Sequence, residues 1–128
     1  MKYLVDTHLL LWAAGKTRKL SRTAKRLLDD DSAQLWFSAA SIWEVAIKNG
    51  LGRKDFRAEP RHLRRGLINN GWNELVVTSE HAAAVMDLPA LHKDPFDRML
   101  VAQTQIEGLT LLTSDEAIAD YPGRIRVV

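Results

Sequence analysis

The sequence predicts an α/β fold with a parallel sheet that is covered by helices on both faces. Short β-prone segments alternate with helical segments along the whole chain, and helix-capping residues mark many of the boundaries. No repeat or long linker divides the 128 residues, so a single domain over 1–128 is expected. The strands are expected at 2–6, 34–38, 74–78, 109–113 and 125–128.

The first half of the chain carries three helix signals. An apolar run follows the first strand and stops at Gly15. Ser21 is a typical N-cap for a second helix, and Gly50 ends a third whose apolar side chains recur at helical spacing. The helices are expected at 7–14, 21–29 and 40–49, and a connection is expected at 52–59.

The second half carries four helix signals. Pro60 and Pro95 fit the first turn of a helix, where a missing N–H group costs nothing. Ser79 and Asp94 are typical N-caps, and Gly108 is a typical C-terminal stop. The helices are expected at 60–70, 79–86, 95–107 and 115–120.

Composition excludes several classes of protein. The chain has no cysteine, so disulfides, thiolate catalysis and cysteine metal sites are ruled out. Its 46% hydrophobic and 27% charged residues are typical of a soluble globular domain. The longest apolar stretch, 9–14, is too short to cross a bilayer, and Asp6 comes too early for a signal peptide. A cytoplasmic location without membrane contact is expected.

Charge is distributed unevenly along the chain. Residues 16–65 hold 13 of the 18 Lys and Arg and 6 of the 16 acids, so this stretch carries +7 and the remainder −5. The imbalance is consistent with a phosphate-rich partner that approaches a carboxylate-lined centre, and equally with solvated helix faces. The same two interpretations apply to the basic run Arg57, Arg61, Arg64 and Arg65.

Four acids fall where a predicted strand ends or a predicted helix begins: Asp6, Glu44, Asp97 and Asp115. The carboxyl ends of parallel strands share one edge of a sheet, so these side chains are expected to converge. Carboxylates that meet without a counter-charge repel each other, and a hard divalent cation with oxygen ligands is the usual remedy. The pattern therefore predicts a site for a hard divalent cation such as Mg²⁺.

Each acid taken alone also has a structural interpretation. Asp6 and Asp115 are good helix N-caps, and Glu44 completes a capping box that begins at Ser41. Asp97 is less needed for capping because Asp94 already occupies that position. Only the conjunction of all four favours a metal site.

Other chemical motifs are weak or missing. The four histidines, His8, His62, His81 and His92, lack the spacing of a zinc site. The phosphate-binding loop, the dinucleotide fingerprint and the nucleophile elbow are all absent. Thr113 and Ser114 end a predicted strand beside Asp115, where their hydroxyls are suited to position a water or to donate to a ligand.

Four segments, 4–12, 41–48, 92–103 and 112–115, resemble the PIN-domain family, and more specifically its VapC-type toxins of bacterial type II toxin–antitoxin pairs. The stretch HKDPFDRMLVAQ at 92–103 is the most specific of them. The resemblance implies a Rossmann-like three-layer α/β/α sandwich with a central parallel sheet. It also implies a Mg²⁺- or Mn²⁺-dependent ribonuclease that acts on RNA, is neutralised by a VapB-like antitoxin and forms a homodimer.

On this interpretation the site residues take specific roles. Asp6, Glu44, Asp97 and Asp115 are the catalytic residues; Asp6, Asp97 and Asp115 hold the metal, while Glu44 orients or deprotonates the attacking water. The expected substrate-positioning residues are Thr7, Thr113, Ser114 and Arg98. Two alternatives are a catalytically inert PIN-fold module that binds RNA or a partner, and phosphoryl transfer through an aspartyl intermediate on Asp6.

Overall fold

The computed structural model describes residues 1–128 and contains a five-stranded sheet in which all paired strands run parallel. The strand order is β3-β2-β1-β4-β5. The strands are β1 (Lys2–Val5), β2 (Gln34–Ser38), β3 (Asn73–Leu75), β4 (Thr110–Thr113) and β5 (Ile125–Val127). The helices are α1 (Thr7–Gly15), α2 (Arg22–Leu28), α3 (Ala39–Gly50), α4 (Pro60–Asn69), α5 (Ser79–Ala84) and α6 (Pro95–Glu107). The predicted α/β fold is confirmed.

Side chains that alternate along each strand fill two separate cores, one on each face of the sheet. On β1, Tyr3 and Val5 join one core while Leu4 joins the other. The first core packs against α1 to α4 through residues such as Leu9 and Leu63, and the second against α6 through residues such as Leu100. Helices therefore cover both faces, as the three-layer architecture requires.

The chain reverses its direction of travel across the sheet at β1. It moves outward from β1 to β2 and β3, and then crosses back to place β4 on the opposite side of β1. In open parallel sheets, such a switch point leaves a crevice outside the carboxyl ends of the two strands. Asp6 follows β1 and Asp115 lies just beyond β4, so both acids stand at this crevice.

The third predicted strand is wrong in its second half. Ser38 ends β2 and pairs with Leu75, so the chain beyond Leu75 has no strand beside it. Val76 and Val77 are consequently exposed and do not extend the sheet. Thr78, rather than the predicted Ser79, caps α5.

The α5 cap depends on a buried histidine. His81 donates its backbone N–H to the Thr78 hydroxyl, and its Nδ1 accepts the Thr78 N–H at 3.0 Å. Its Nε2 lies 2.7 Å from a carboxylate oxygen of Glu107 on α6. His81 thus ties α5 to α6.

Several connections are more ordered than their sequence suggested. Short 3-10 helices occupy 17–19, 54–56, 85–87 and 116–120, and the last replaces the predicted α-helix at 115–120. Phe56 is fully buried and anchors the predicted connection at 52–59. The longest helix, α6, has 13 residues, and no helix is both long and apolar enough to cross a membrane.

Strand β2, which lies between β1 and β3, offers a test of the first core. Phe37 has no exposed surface, so Phe37→Ala should lower the free energy of unfolding by about 3–5 kcal/mol, measured by urea denaturation. The control is Leu51→Ala at a residue that is 77% exposed, for which a change within about 0.5 kcal/mol is expected. Equal losses in the two variants would contradict the assignment of Phe37 to the core.

Candidate metal centre

Asp6 combines a structural duty with a position at the crevice. Its side chain caps α1 by accepting the Leu9 N–H at 3.0 Å, as the capping interpretation expected. The other oxygen accepts the Thr113 hydroxyl and the Ser114 N–H from the end of β4. Burial nevertheless raises the pKa of Asp6, because desolvation outweighs these hydrogen bonds. The carboxylate is thereby fixed between the two strands of the switch point.

Glu44 is buried on α3 and does not cap that helix. Ser38 caps α3 by accepting the Ala40 N–H, so the capping-box interpretation of Glu44 is wrong. Its two oxygens instead accept the Thr7 hydroxyl at 2.6 Å and the Lys48 ammonium at 2.5 Å. Glu44 is therefore held between α1 and the next turn of its own helix.

Lys48 is a counter-charge that the sequence analysis missed. Its Nζ contacts Glu44 and also lies 3.3 Å from Asp94 Oδ2. Burial lowers the pKa of Lys48, but the contacts and charges of Glu44 and Asp94 more than offset this and raise it overall. Phe56 and Phe96 flank the ammonium, with ring centroids 4.8 Å and 5.4 Å away. The spacing of four residues between Glu44 and Lys48 was the signal that predicts such a pair.

The Asp97 side chain is not needed to cap α6, because Asp94 does so. Asp94 accepts the N–H groups of Phe96 and Asp97, as predicted. The Asp97 carboxylate lies 3.1 Å from His92 Nε2. Burial raises the pKa of Asp97 to about 7, helped by the negative charges of neighbouring acids and partly opposed by His92.

The charges that raise the Asp97 pKa show how the acids converge. They belong to Asp94, Glu44 and Asp6, which lie on different parts of the chain. An acid that is disfavoured in its ionised form at neutral pH marks a place where added positive charge is stabilising.

Three side chains present potential ligand atoms to one another beside this carboxylate. One atom each of His92, Asp97 and Asp115 lies within 4.8 Å of the other two, and His92 Nε2 is 3.8 Å from Asp115 Oδ2. Carboxylate oxygens and an imidazole nitrogen are ligands that divalent cations accept, so this donor set fits a divalent cation. Asp6 is not part of this trio. His92 was not among the predicted site residues, because it belongs to no zinc-binding motif.

The four predicted positioning residues all bond to protein groups around these acids. Thr7 donates to Glu44, and Ser114 donates its N–H to Asp6. The Thr113 hydroxyl donates to Asp6 and accepts the Asp115 N–H at 3.0 Å. Arg98 donates to the carbonyls of Pro89, His92 and Val85 and to the Tyr121 hydroxyl. Contact with a substrate stays a prediction for each.

The molecule has two main concave surfaces, and only the second is lined by sequence neighbours of the acids. A cleft of about 780 Å³ runs between α1, α4 and residues 54–59, and none of the four acids lines it. Its basic lining residues are Lys16, Lys19, Lys54 and Arg57. A second, largely apolar groove of about 360 Å³ includes Trp43 and Phe96, the neighbours of Glu44 and Asp97. Within the basic run, Arg61 and Arg64 pair with the acids Glu59 and Glu74.

Two features define the class of this protein. It is a parallel α/β domain, and it gathers acids at the switch point of its sheet in a setting suited to a divalent cation. Comparison with known families is consistent with that class. The PIN domain model matches residues 3–124, and the chain therefore belongs to the PIN domain family. No curated protein matches the sequence.

Solved structures with the same fold include toxin–antitoxin proteins. VapBC2 from Rickettsia felis, bound to a promoter DNA fragment, aligns over 100% of this chain and 99% of its own, with a TM-score of 0.74 and 12% identity. A toxin–antitoxin complex from Klebsiella pneumoniae aligns over 98% and 96%, with a TM-score of 0.66 and 20% identity. VapBC-1 from nontypeable Haemophilus influenzae aligns over 99% and 98%, with a TM-score of 0.64 and 15% identity.

The contacts of Lys48 predict a measurable coupling with Glu44. Lys48→Met should lower the free energy of unfolding by about 2 kcal/mol, because it leaves the buried Glu44 carboxylate without its positively charged partner. This value lies between the losses seen when exposed and fully buried ion pairs are broken. Adding Glu44→Gln should recover part of this loss in a double-mutant cycle followed by urea denaturation. The exposed Lys54→Met is the control, and purely additive losses in the cycle would contradict the pair.

The raised pKa of Asp97 predicts a pH-dependent stability in the absence of divalent cations. Since this pKa moves from 3.8 to about 7 on folding, the ionised carboxylate destabilises the folded chain. The favourable effect of the protonated form is complete below about pH 4 and is lost as the pH rises to about 7. Asp97→Asn should therefore be more stable than the parent near pH 8 and lose this advantage near pH 4.

Thermal unfolding in chelator across this range would measure the difference between Asp97→Asn and the parent. The control is Asp87→Asn at an exposed residue that is not among the charges that raise the Asp97 pKa, and it should differ from the parent by an amount that hardly changes with pH. An Asp97→Asn advantage that is equally large at both ends of the range would show that its carboxyl is not perturbed.

Proposed function

We propose that this PIN domain, residues 1–128, is a metal-dependent ribonuclease and the toxin of a bacterial type II toxin–antitoxin pair. The observation that carries the proposal is the convergence of Asp97 with Asp115, Asp6 and Glu44 at the switch point of the sheet. The family of the chain and the fold that it shares with VapBC proteins support it.

Asp97 and Asp115, together with Asp6, would hold one or two Mg²⁺ ions, for which Mn²⁺ can substitute. Mg²⁺ commonly takes few protein carboxylates and keeps several waters, which agrees with a site this close to solvent. When bound, such a cation lowers the pKa of the attacking water and offsets the charge that develops on the phosphate. Asp97 would give up its proton as the cation binds, because the cation favours the ionised carboxylate.

Glu44 would orient the attacking water and accept its proton. Thr7 and Lys48 each hold one oxygen of this carboxylate, so its direction is fixed before the substrate arrives. Lys48 also places a compensating positive charge against this carboxylate. The two neighbours thus prepare Glu44 without taking part in the bond changes themselves.

The predicted positioning residues would act on the substrate mainly through the groups that they hold. Thr113 and Ser114 orient Asp6 from the end of β4, and Thr7 orients Glu44. Arg98 fixes the loop at 85–92, which carries His92 to the centre. A placement error of 1 Å is costly in such reactions, so these bonds are expected to matter for rate.

RNA is the substrate that the charge pattern supports. The basic stretch 16–65 would attract the phosphate backbone toward a centre that repels phosphate until a cation is bound. Within this stretch, Lys16, Lys19, Lys54 and Arg57 line the large cleft, together with the acids Asp29, Asp55 and Glu59. An inert binding module would gain nothing from the acids themselves.

The proposed protein partners are a VapB-like antitoxin and a second copy of the chain in a homodimer. The similar structures from Rickettsia felis and Haemophilus influenzae are VapBC assemblies, and the one from Klebsiella pneumoniae is a toxin–antitoxin complex. Trp43 and Val77 line the apolar groove and are 63% and 40% exposed. Exposed apolar side chains that cluster in this way are typical of surfaces that a protein partner covers. A cytoplasmic location stays a prediction.

RNA cleavage by purified protein tests the proposed activity. Excess chelator should abolish cleavage of total RNA, and Mg²⁺ or Mn²⁺ should restore it. Asp97→Asn should lose at least about 100-fold in rate while remaining folded, because it removes a charge that the cation requires. The exposed Asp87→Asn is the matched control and should cleave like the parent.

Two results would count against this function. Cleavage that persists in excess chelator with nuclease-free protein would exclude a metal-dependent mechanism. RNA that is bound but never cut, with or without added cation, would favour the inert binding module instead. Mapping the cut ends of the RNA would identify the preferred site.

A further inference from the structure

We infer that His92 is a ligand of the cation in the proposed nuclease centre and that its nitrogen makes the centre prefer Mn²⁺ to Mg²⁺. The inference rests on the proposed function and adds a residue and a metal preference to it. The expected ligands were carboxylates alone. The structure instead brings an imidazole beside the carboxylates of Asp97 and Asp115.

The distances around His92 already match those between ligands of one ion. Its Nε2 is 3.1 Å from Asp97 Oδ2 and 3.8 Å from Asp115 Oδ2. Two ligands that each lie about 2.1 Å from a common cation are about 3 Å apart at right angles and about 4 Å apart when opposite. Only small side-chain movements separate the present arrangement from a shared ligand set.

The chemistry of the donors favours a first-row cation. Imidazole is a softer donor than a carboxylate, and first-row transition cations bind it more readily than Mg²⁺ does. Mn²⁺ is the first-row cation that shares the preference of Mg²⁺ for carboxylate and water ligands, so it suits both kinds of donor present here. Mg²⁺ is hard, prefers oxygen and gains little from a nitrogen ligand. A site with His92 beside Asp97 and Asp115 therefore discriminates between the two ions, whereas carboxylates alone discriminate less.

The backbone fixes His92 in place without using its ring. The His92 carbonyl accepts the Tyr121 hydroxyl at 3.2 Å and lies 3.5 Å from Arg98 Nη1. The ring nitrogen Nε2 faces the two carboxylates. Substitution of the side chain leaves the backbone contacts intact, so the loop should keep its position in a His92 variant.

The other histidines have different duties or positions. His81 is buried and committed to the α5 cap and Glu107. His8 pairs with Asp55 at 3.2 Å, away from the trio. His62 is exposed on α4 and lines the large cleft, which makes it the matched control for His92.

Pulsed electron paramagnetic resonance of Mn²⁺ bound to the full chain tests the ligand directly. The parent protein should show the nitrogen hyperfine coupling of a bound imidazole. This coupling should vanish in His92→Gln and persist in His62→Gln. A parent spectrum without nitrogen coupling would overturn the inference, and because it needs no variant, it does so even if His92→Gln fails to fold.

Calorimetric titration with each metal alone tests the preference. His92→Gln should weaken Mn²⁺ binding by at least about tenfold, a loss typical even of residues that only support a ligand, and should weaken Mg²⁺ binding by a much smaller factor. Asp97→Asn should weaken both. Equal effects of His92→Gln on the two ions, or no effect on Mn²⁺, would overturn the inference.

These outcomes separate the inference from the proposed function. If His92→Gln binds both metals like the parent while Asp97→Asn binds neither and cleavage still needs a cation, the nuclease stands and the role of His92 falls. If the parent binds no divalent cation and chelator does not affect cleavage, both fall together.

Discussion

The crowding of negative charge at one edge of the sheet is the constraint on which the rest of this structure depends. Burial alone raises the pKa of Asp6, and neighbouring acids add to the burial effect at Asp97. The protein opposes this repulsion unevenly. Backbone N–H groups and a hydroxyl serve Asp6, Lys48 serves Glu44, and the Ala117 N–H serves Asp115. The Asp97 carboxylate contacts only the imidazole of His92. Asp97 is therefore the least compensated of these acids, and a cation has most to contribute beside it.

The sheet makes this crowding possible because it is rigid where the acids are attached. Leu4 and Val5 on β1 have no exposed surface and pack into different cores, so the strand cannot shift toward either face. Thr113 links the ends of β1 and β4 by bonding to Asp6 and to the Asp115 backbone. The packing of the two hydrophobic cores therefore holds the acids in place against their mutual repulsion.

Sequence patterns predicted the parts of the molecule that local rules govern. Strand propensity accounts for the bounds of β2, and capping chemistry accounts for the Asp94 cap. The stop at Gly108 follows from its left-handed backbone, with φ of 68°. The end of β3 depends on where its neighbour stops, which no local pattern reveals. His92 likewise has no motif of its own. His92 reaches the acids because Arg98 on α6 and the Tyr121 hydroxyl both contact its carbonyl and hold its loop in place.

Asp6 and Asp97 differ in what they would reveal about relatives of this chain. Asp6 holds the first turn of α1 and the end of β4, so the fold alone is a reason for relatives to retain an acid at this position. The Asp97 side chain caps nothing and raises the electrostatic cost of the folded state. Under the proposed function, an acid at the Asp97 position is therefore the better indicator of nuclease activity among proteins of this fold. An acid at the Asp6 position indicates mainly that the fold is kept.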